Sequence, residues 1–124
     1  MSLNSSLNSI TSNPLLDFSG LPRFSDIKTE HVEPAIDTLI AAAKKQLEVT
    51  ASTAPEQATW EETLLPLDIA CEQLSRAWGV VGHLHSVADT EELRAAYNAC
   101  LPKTTEFWTM VGQDERLYAI YKAI

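Results

Sequence analysis

Thr59-Trp60-Glu61-Glu62-Thr63-Leu64-Leu65-Pro66-Leu67 opens the stretch that decides the fold. A Thr followed three residues later by a Glu is a capping-box pattern, in which the hydroxyl accepts one of the free N–H groups of a helix's first turn. Beyond it, Leu64, Leu67, Cys71, Leu74, Trp78 and Val81 recur at alternating steps of three and four. That spacing lines one face of an α-helix and reads as a heptad-like seam. Pro66 falls inside the second turn, where it removes a ladder hydrogen bond and is expected to bend the helix. Gly79 and Gly82 weaken the far half, and the helix is expected to persist to about Val87.

Upstream, a helix is expected to start between Thr29 and Pro34, with the proline in a first turn that lacks N–H partners anyway. Glu30 and Glu33 suit the positive end of the helix dipole. Val32, Ile36, Leu39, Ile40, Ala43 and Leu47 form one apolar stripe that fades in the Ser, Thr and Pro residues of 50–55. Before this helix, Asn13 to Phe24 mixes two prolines and a glycine with Leu15, Leu16, Phe18, Leu21 and Phe24. Such a stretch reads as an extended arm, residues 13–28, lying across an apolar surface. The duplicated Ser-Leu-Asn-Ser at 2–9 reads as a disordered leader, residues 1–12.

Downstream, Asp89-Thr90-Glu91-Glu92 is a second capping signal. Leu93, Ala96, Tyr97, Cys100, Leu101, Phe107, Trp108, Met110 and Val111 follow at helical spacing. Pro102 is expected to kink or divide this helix, because the Asn98 carbonyl loses its partner. Gly112 reads as a stop and Asp114 as the cap of a further helix. Leu117, Tyr118, Ile120, Tyr121 and Ile124 begin a new apolar pattern that runs into the terminus, as expected of a piece of something longer. No segment alternates as a strand does. The fold class expected is therefore all-α: an antiparallel bundle of three long helices plus the start of a fourth, with an extended N-terminal arm.

Composition bounds the function. The 124 residues carry 9 Lys plus Arg against 17 Asp plus Glu, a net charge of −8. That balance argues against binding a nucleic-acid backbone, which needs basic residues to displace counterions. No apolar run is long enough to span a bilayer, and no secretory signal pattern is visible. Cys71 and Cys100 belong to no CxxC pair and read as reduced, buried thiols of a cytoplasmic protein.

Several residues invite a chemical reading. His83-Leu84-His85 would chelate on a strand, but two residues apart on a helix point about 200° from each other, so one metal cannot take both. His85 is expected at a helix–helix seam, and His83 toward solvent or a partner. Glu30-His31-Val32-Glu33 lacks the second histidine of HExxH and reads as an acidic helix start. Neither cysteine has a neighbouring basic residue in sequence to activate it. The four glycines are too scattered for a phosphate loop, and Ser75 and Ser86 stand in no nucleophile elbow. Trp60, Trp78, Phe107, Trp108, Tyr118 and Tyr121 are expected mainly in the core. No catalytic, cofactor-binding or metal-ligating residue is assigned.

Taken in order, Asn13-Pro14-Leu15-Leu16, Leu21-Pro22-Arg23-Phe24 and Ile27-Lys28-Thr29-Glu30-His31-Val32-Glu33-Pro34-Ala35-Ile36 resemble the start of the thimet oligopeptidase family of zinc metallopeptidases. The similarity continues through Thr59-Trp60-Glu61, Pro66-Leu67, residues 75–78, His83-Leu84-His85-Ser86-Val87, Glu92-Leu93-Arg94-Ala95-Ala96-Tyr97, Leu101-Pro102 and Leu117-Tyr118. It covers everything but the leader.

The resemblance implies a largely helical enzyme with two lobes flanking a deep channel that admits only short peptides. It implies a zinc site on HExxH plus a later glutamate, where the metal polarises the scissile carbonyl and activates a water. This sequence contains no HExxH. Residues 29–124 are accordingly expected to be the non-catalytic, N-terminal helical domain fragment of such a peptidase, inactive alone, with the remainder of the enzyme as its partner and the zinc held there. The competing expectation is a stand-alone helical interaction module.

Overall fold

The computed structural model describes residues 13–22 and 24–124. The leader expected over residues 1–12 lies outside the described residues. Four α-helices account for most of the rest: α1 (Thr29–Ala51), α2 (Leu65–Val87), α3 (Glu91–Gln113) and α4 (Glu115–Ala123). Short 3-10 turns occur at Pro14–Leu16, Phe24–Asp26 and Pro55–Gln57, and no strand occurs among the described residues. The all-α expectation holds, and the fourth helix spans Glu115–Ala123.

Helix α1 is the hub, packing on α2, α3 and α4. Its C-terminal end meets the entry to α2, where the Thr50 hydroxyl donates to the Thr63 carbonyl at 2.9 Å. Helix α2 therefore runs back antiparallel to α1. The short link at 88–90 then turns α3 antiparallel to α2, so that α3 lies alongside α1 in the same sense. Lys103 of α3 reaches Asp37 of α1 at 2.9 Å, and Arg116 at the start of α4 reaches Glu48 near the end of α1.

The main core joins Val32, Ile36, Leu39 and Ile40 of α1 to Leu74, Ala77 and Val81 of α2 and to Leu93, Cys100 and Phe107 of α3. A second cluster, Leu47, Leu64, Leu67, Leu117 and Ile120, closes the far end. Cys71 and Val111 pack against both clusters and make the interior continuous. The seam expected on α2 is the buried face, with Cys71 and Trp78 half-buried at its margin.

The caps follow local chemistry. Thr90 accepts from the Leu93 N–H at 3.1 Å, and Asp114 accepts from Arg116 and Leu117 at 2.9 and 3.1 Å. Thr59 accepts from Glu62 N–H at 3.1 Å, but its own N–H donates to the Thr63 hydroxyl oxygen at 3.1 Å. The capping-box carboxylate is displaced because this first turn is wide.

The prolines behave differently from expectation. Pro66 lies in the first turn of α2, because Trp60–Leu64 forms a π-helical turn ahead of it in which Leu65 N–H donates to the Trp60 carbonyl. The wider turn relieves the clash between a proline ring and the carbonyl four residues back. Pro102 does not divide α3, which runs unbroken from Glu91 to Gln113. Pro102 and Asn98 both lie on the exposed face, open to solvent, while Cys100, Thr104 and Phe107 anchor the buried face on either side. Pro34 sits in the second turn of α1 rather than the first, again exposed.

The arm is only partly docked. Asn13 caps the Pro14–Leu16 turn through the Leu15 N–H and donates to the His31 carbonyl at 3.0 Å, fixing Leu15 in the core. Leu16, Phe18 and Ile27 pack at its edge, and Arg76 lies over the Phe18 ring while donating to the Gly20 carbonyl. Leu21 and Phe24, expected to dock, are exposed.

Candidate functional site

Each residue considered for chemistry has a structural occupation. His85 stacks on the Tyr97 ring at a centroid distance of 4.2 Å, and Trp78 stacks on the same ring at 4.8 Å. Trp78 and His85 are seven residues apart on one face of α2, so Tyr97 of α3 sits between them and ties the two helices at their seam. Asp89 holds this end: its carboxylate accepts from Arg94 at 2.6 Å and lies 3.9 Å from His85 Nε2. His83 is exposed, edge-on to Phe24 at 5.2 Å. The two histidines of the HxH pair thus diverge, as helical geometry requires.

His31 has a role that the acidic-start reading missed. Its Nδ1 accepts the Lys28 backbone N–H at 2.9 Å, so the imidazole closes the N-terminus of α1 in place of a Glu or Gln. The signal was the spacing of three from Lys28, readable once the helix start is known.

The thiols are poor nucleophiles. Cys100 is buried in the main core, and desolvation pushes its pKa up to about 11, with Lys103 acting weakly the other way. Burial, then the nearby Asp68 carboxylate, raises Cys71. Among the described residues, no three His, Cys, Asp or Glu side chains come together as a metal-binding group. The donors among the described residues do not fit a catalytic zinc.

An open groove of about 680 Å³ lies between the N-terminal parts of α1 and α3. Glu30, Glu33, Asp37 and Glu92 rim it, with Pro34 and Ala96 as its apolar floor. Lys103 closes one end on Asp37 at 2.9 Å and Glu33 at 4.0 Å. The Asp37 hydrogen bond holds Lys103 above the usual lysine range. Thr29 is the one hydroxyl among the residues lining the groove, which include no thiol and no imidazole.

The aromatic residues correct the expectation of a core role. Phe107 is fully buried and Trp78 half-buried, but Trp60, Trp108, Tyr118 and Tyr121 are exposed. Helical spacing assigned them to a face without saying whether anything covers that face. What the described surface offers is helical walls and exposed aromatic side chains, with no assembled reaction centre.

Residues 36–124 match the N-terminal domain of neurolysin/thimet oligopeptidase. The chain belongs to this family. Among curated relatives of the thimet oligopeptidase family, it is 45% identical over 113 residues to oligopeptidase A of Haemophilus influenzae, covering 91% of this chain and 16% of that protein. It is 42% identical over 111 residues to oligopeptidase A of Escherichia coli, covering 89% and 16%. It is 34% identical over 115 residues to the organellar oligopeptidase A of Arabidopsis thaliana, chloroplastic/mitochondrial, covering 93% and 14%. The chain therefore spans about one sixth of the length of the relatives it matches. No helix among the described residues is long and apolar enough to cross a membrane.

Proposed function

We propose that residues 29–124 act as the non-catalytic, N-terminal helical domain of an oligopeptidase-A-like zinc metalloendopeptidase that hydrolyses short peptides in the cytoplasm. The domain would build part of the lobe bounding the substrate channel. The rest of such an enzyme is its partner, and the zinc and the general base reside there. The observation that carries this reading is the family match over residues 36–124 in a sequence that contains no HExxH. The geometry agrees in kind. Three long helices sharing a continuous core are compatible with a scaffold role in such a lobe.

The division of labour is tested by incubating the purified chain with zinc and a panel of short peptides. No turnover above a zinc-only control is expected. Sustained hydrolysis that co-purifies with the chain and is abolished by a metal chelator would overturn the assignment.

A further inference from the structure

His31 holds both ends of the arm. Its backbone carbonyl accepts from the Asn13 side-chain amide at 3.0 Å. Its Nδ1 accepts from the backbone N–H of Lys28 at 2.9 Å, where the arm ends and α1 starts. The His31 N–H in turn donates to the Lys28 carbonyl at 2.9 Å. Asn13 is itself buried and accepts from the N–H of Leu15, the arm residue seated in the main core. The joint between arm and bundle thus passes through one residue, and half of it through one imidazole.

The imidazole gives this joint a property that a usual capping box lacks. The ordinary residue at this place in a helix is Gln or Glu, whose oxygen accepts throughout the neutral range. A ring nitrogen accepts only while it carries no hydrogen, so the neutral ring holds its hydrogen on Nε2. In the imidazolium both nitrogens donate, and Nδ1–H would meet the Lys28 N–H head on. The added charge would also sit at the positive end of the α1 dipole, beside Lys28. Histidine is the side chain whose charge ordinarily changes between about pH 5 and about pH 8.

The described charged groups around this joint are few. Lys28 and Thr29 border a shallow cleft whose far side is Leu84, Ala88, Thr90 and Leu93, with no ionisable group. On the other side, Thr29 and Glu30 belong to the acidic groove shared with Glu92 of α3. Against the arm, α2 sets Arg76, which donates to the Gly20 carbonyl, and His83, edge-on to Phe24 at 5.2 Å. Within the arm, Asp17 accepts from Ser19, and Asp26 lies in the second 3-10 turn. His83 is the one other imidazole among these groups, and the test must separate it from His31.

We infer that His31 is a proton-operated latch: its neutral ring fastens the arm to the start of α1, and its protonation loosens that joint while the helical core stays closed. The latch is present on the alkaline side of the imidazole range and is lost as pH falls through it. That window lies above the one in which Glu48 and Asp114, both held below the usual carboxylate range, release α4. The inference rests on no assignment of function.

Amide exchange of the 124-residue chain, expressed relative to the intrinsic rate at each pH, tests it. Between about pH 7.5 and about pH 5.5, protection of the Lys28 and Leu15 amides is expected to fall roughly fivefold, the scale of a lost helix cap, while that of Ile36 to Ile40 holds. His31→Gln keeps an acceptor in place without titrating, so its protection at Lys28 and Leu15 is expected to stay level across the same range. His83→Gln is expected to keep the pH dependence of the parent. Level protection in the parent chain would overturn the latch. So would a pH dependence that survives in His31→Gln, or one that vanishes in His83→Gln.

Discussion

Arg116 donates through its two terminal guanidinium nitrogens to the two carboxylate oxygens of Glu48, each at 2.9 Å, across 68 residues of sequence. This fork-to-fork contact, with Asp114 accepting from the same guanidinium, ties α4 to the end of α1. The hydrogen bond from Arg116, then its charge, hold Glu48 below the usual carboxylate range. Asp114 is lowered by the same partner first, and by the Leu117 and Arg116 N–H groups.

Because both carboxylates titrate lower when folded, the attachment of α4 is fully supported above about pH 4, the unfolded carboxylate range. It is lost as pH falls through the lower, folded values. Protection of the amides of residues 115–123, expressed relative to the intrinsic exchange rate at each pH, is expected to fall from pH 6 downward before that of the main core. Arg116→Ala should produce the same local loosening at neutral pH, and added salt should mimic it in part. Uniform exchange across α1 and α4 at every pH would contradict this role.

Thr50 makes a buried polar clamp between α1 and the π-turn. Its hydroxyl donates to the Thr63 carbonyl at 2.9 Å while accepting from Gln46 at 3.2 Å, and its side chain is fully buried. Thr50→Val keeps the shape but strands the carbonyl, which should cost about 1–3 kcal/mol in chemical denaturation. A change near zero would mean that water replaces the hydroxyl.

The interior should respond as a packed core. Leu74 lies at the centre of the main cluster with no exposed surface, so Leu74→Ala should cost about 2–5 kcal/mol. Ile69, on the outer face of the same helix, should change stability by less than about 0.5 kcal/mol when cut to Ala. Urea midpoints of the two variants measure the contrast directly.

The thiols give a reagent-based check. With Cys100 pushed up to about 11 by burial and Cys71 raised by the same cause, few thiolates exist near neutral pH. Iodoacetamide at pH 7.5 should modify native Cys100 far more slowly than half-buried Cys71, and both should react alike in denaturant. Rapid native alkylation of Cys100 would contradict its place in the core.

These outcomes mark what a reader could take from the residues alone. The Thr90 and Asp114 caps were legible because a side chain and an N–H two or three positions on fix the geometry locally. The Leu64-to-Val81 seam was legible because period alone selects a face. The proline outcomes were not, since each depends on tertiary setting: the Thr50–Thr63 clamp beside the π-turn at Pro66, and the solvent-exposed face on which Asn98 and Pro102 lie. The exposure of Trp108, Tyr118 and Tyr121 was hidden for a related reason. An apolar stripe states what wants burial, and only the packed structure states which half of it the chain itself covers. Family membership was legible as ordered motifs such as Glu30 to Ile36 and His83 to Val87.

The central claim is that this chain supplies scaffold to a peptidase whose chemistry lies elsewhere, and one assay addresses it most directly. The Haemophilus influenzae oligopeptidase A is prepared without its matched stretch, and again with this chain in that place. Zinc-dependent cleavage of short peptides should be lost in the first and restored in the second, with long unfolded proteins still refused. Undiminished, size-selective cleavage by the shortened enzyme would contradict the account.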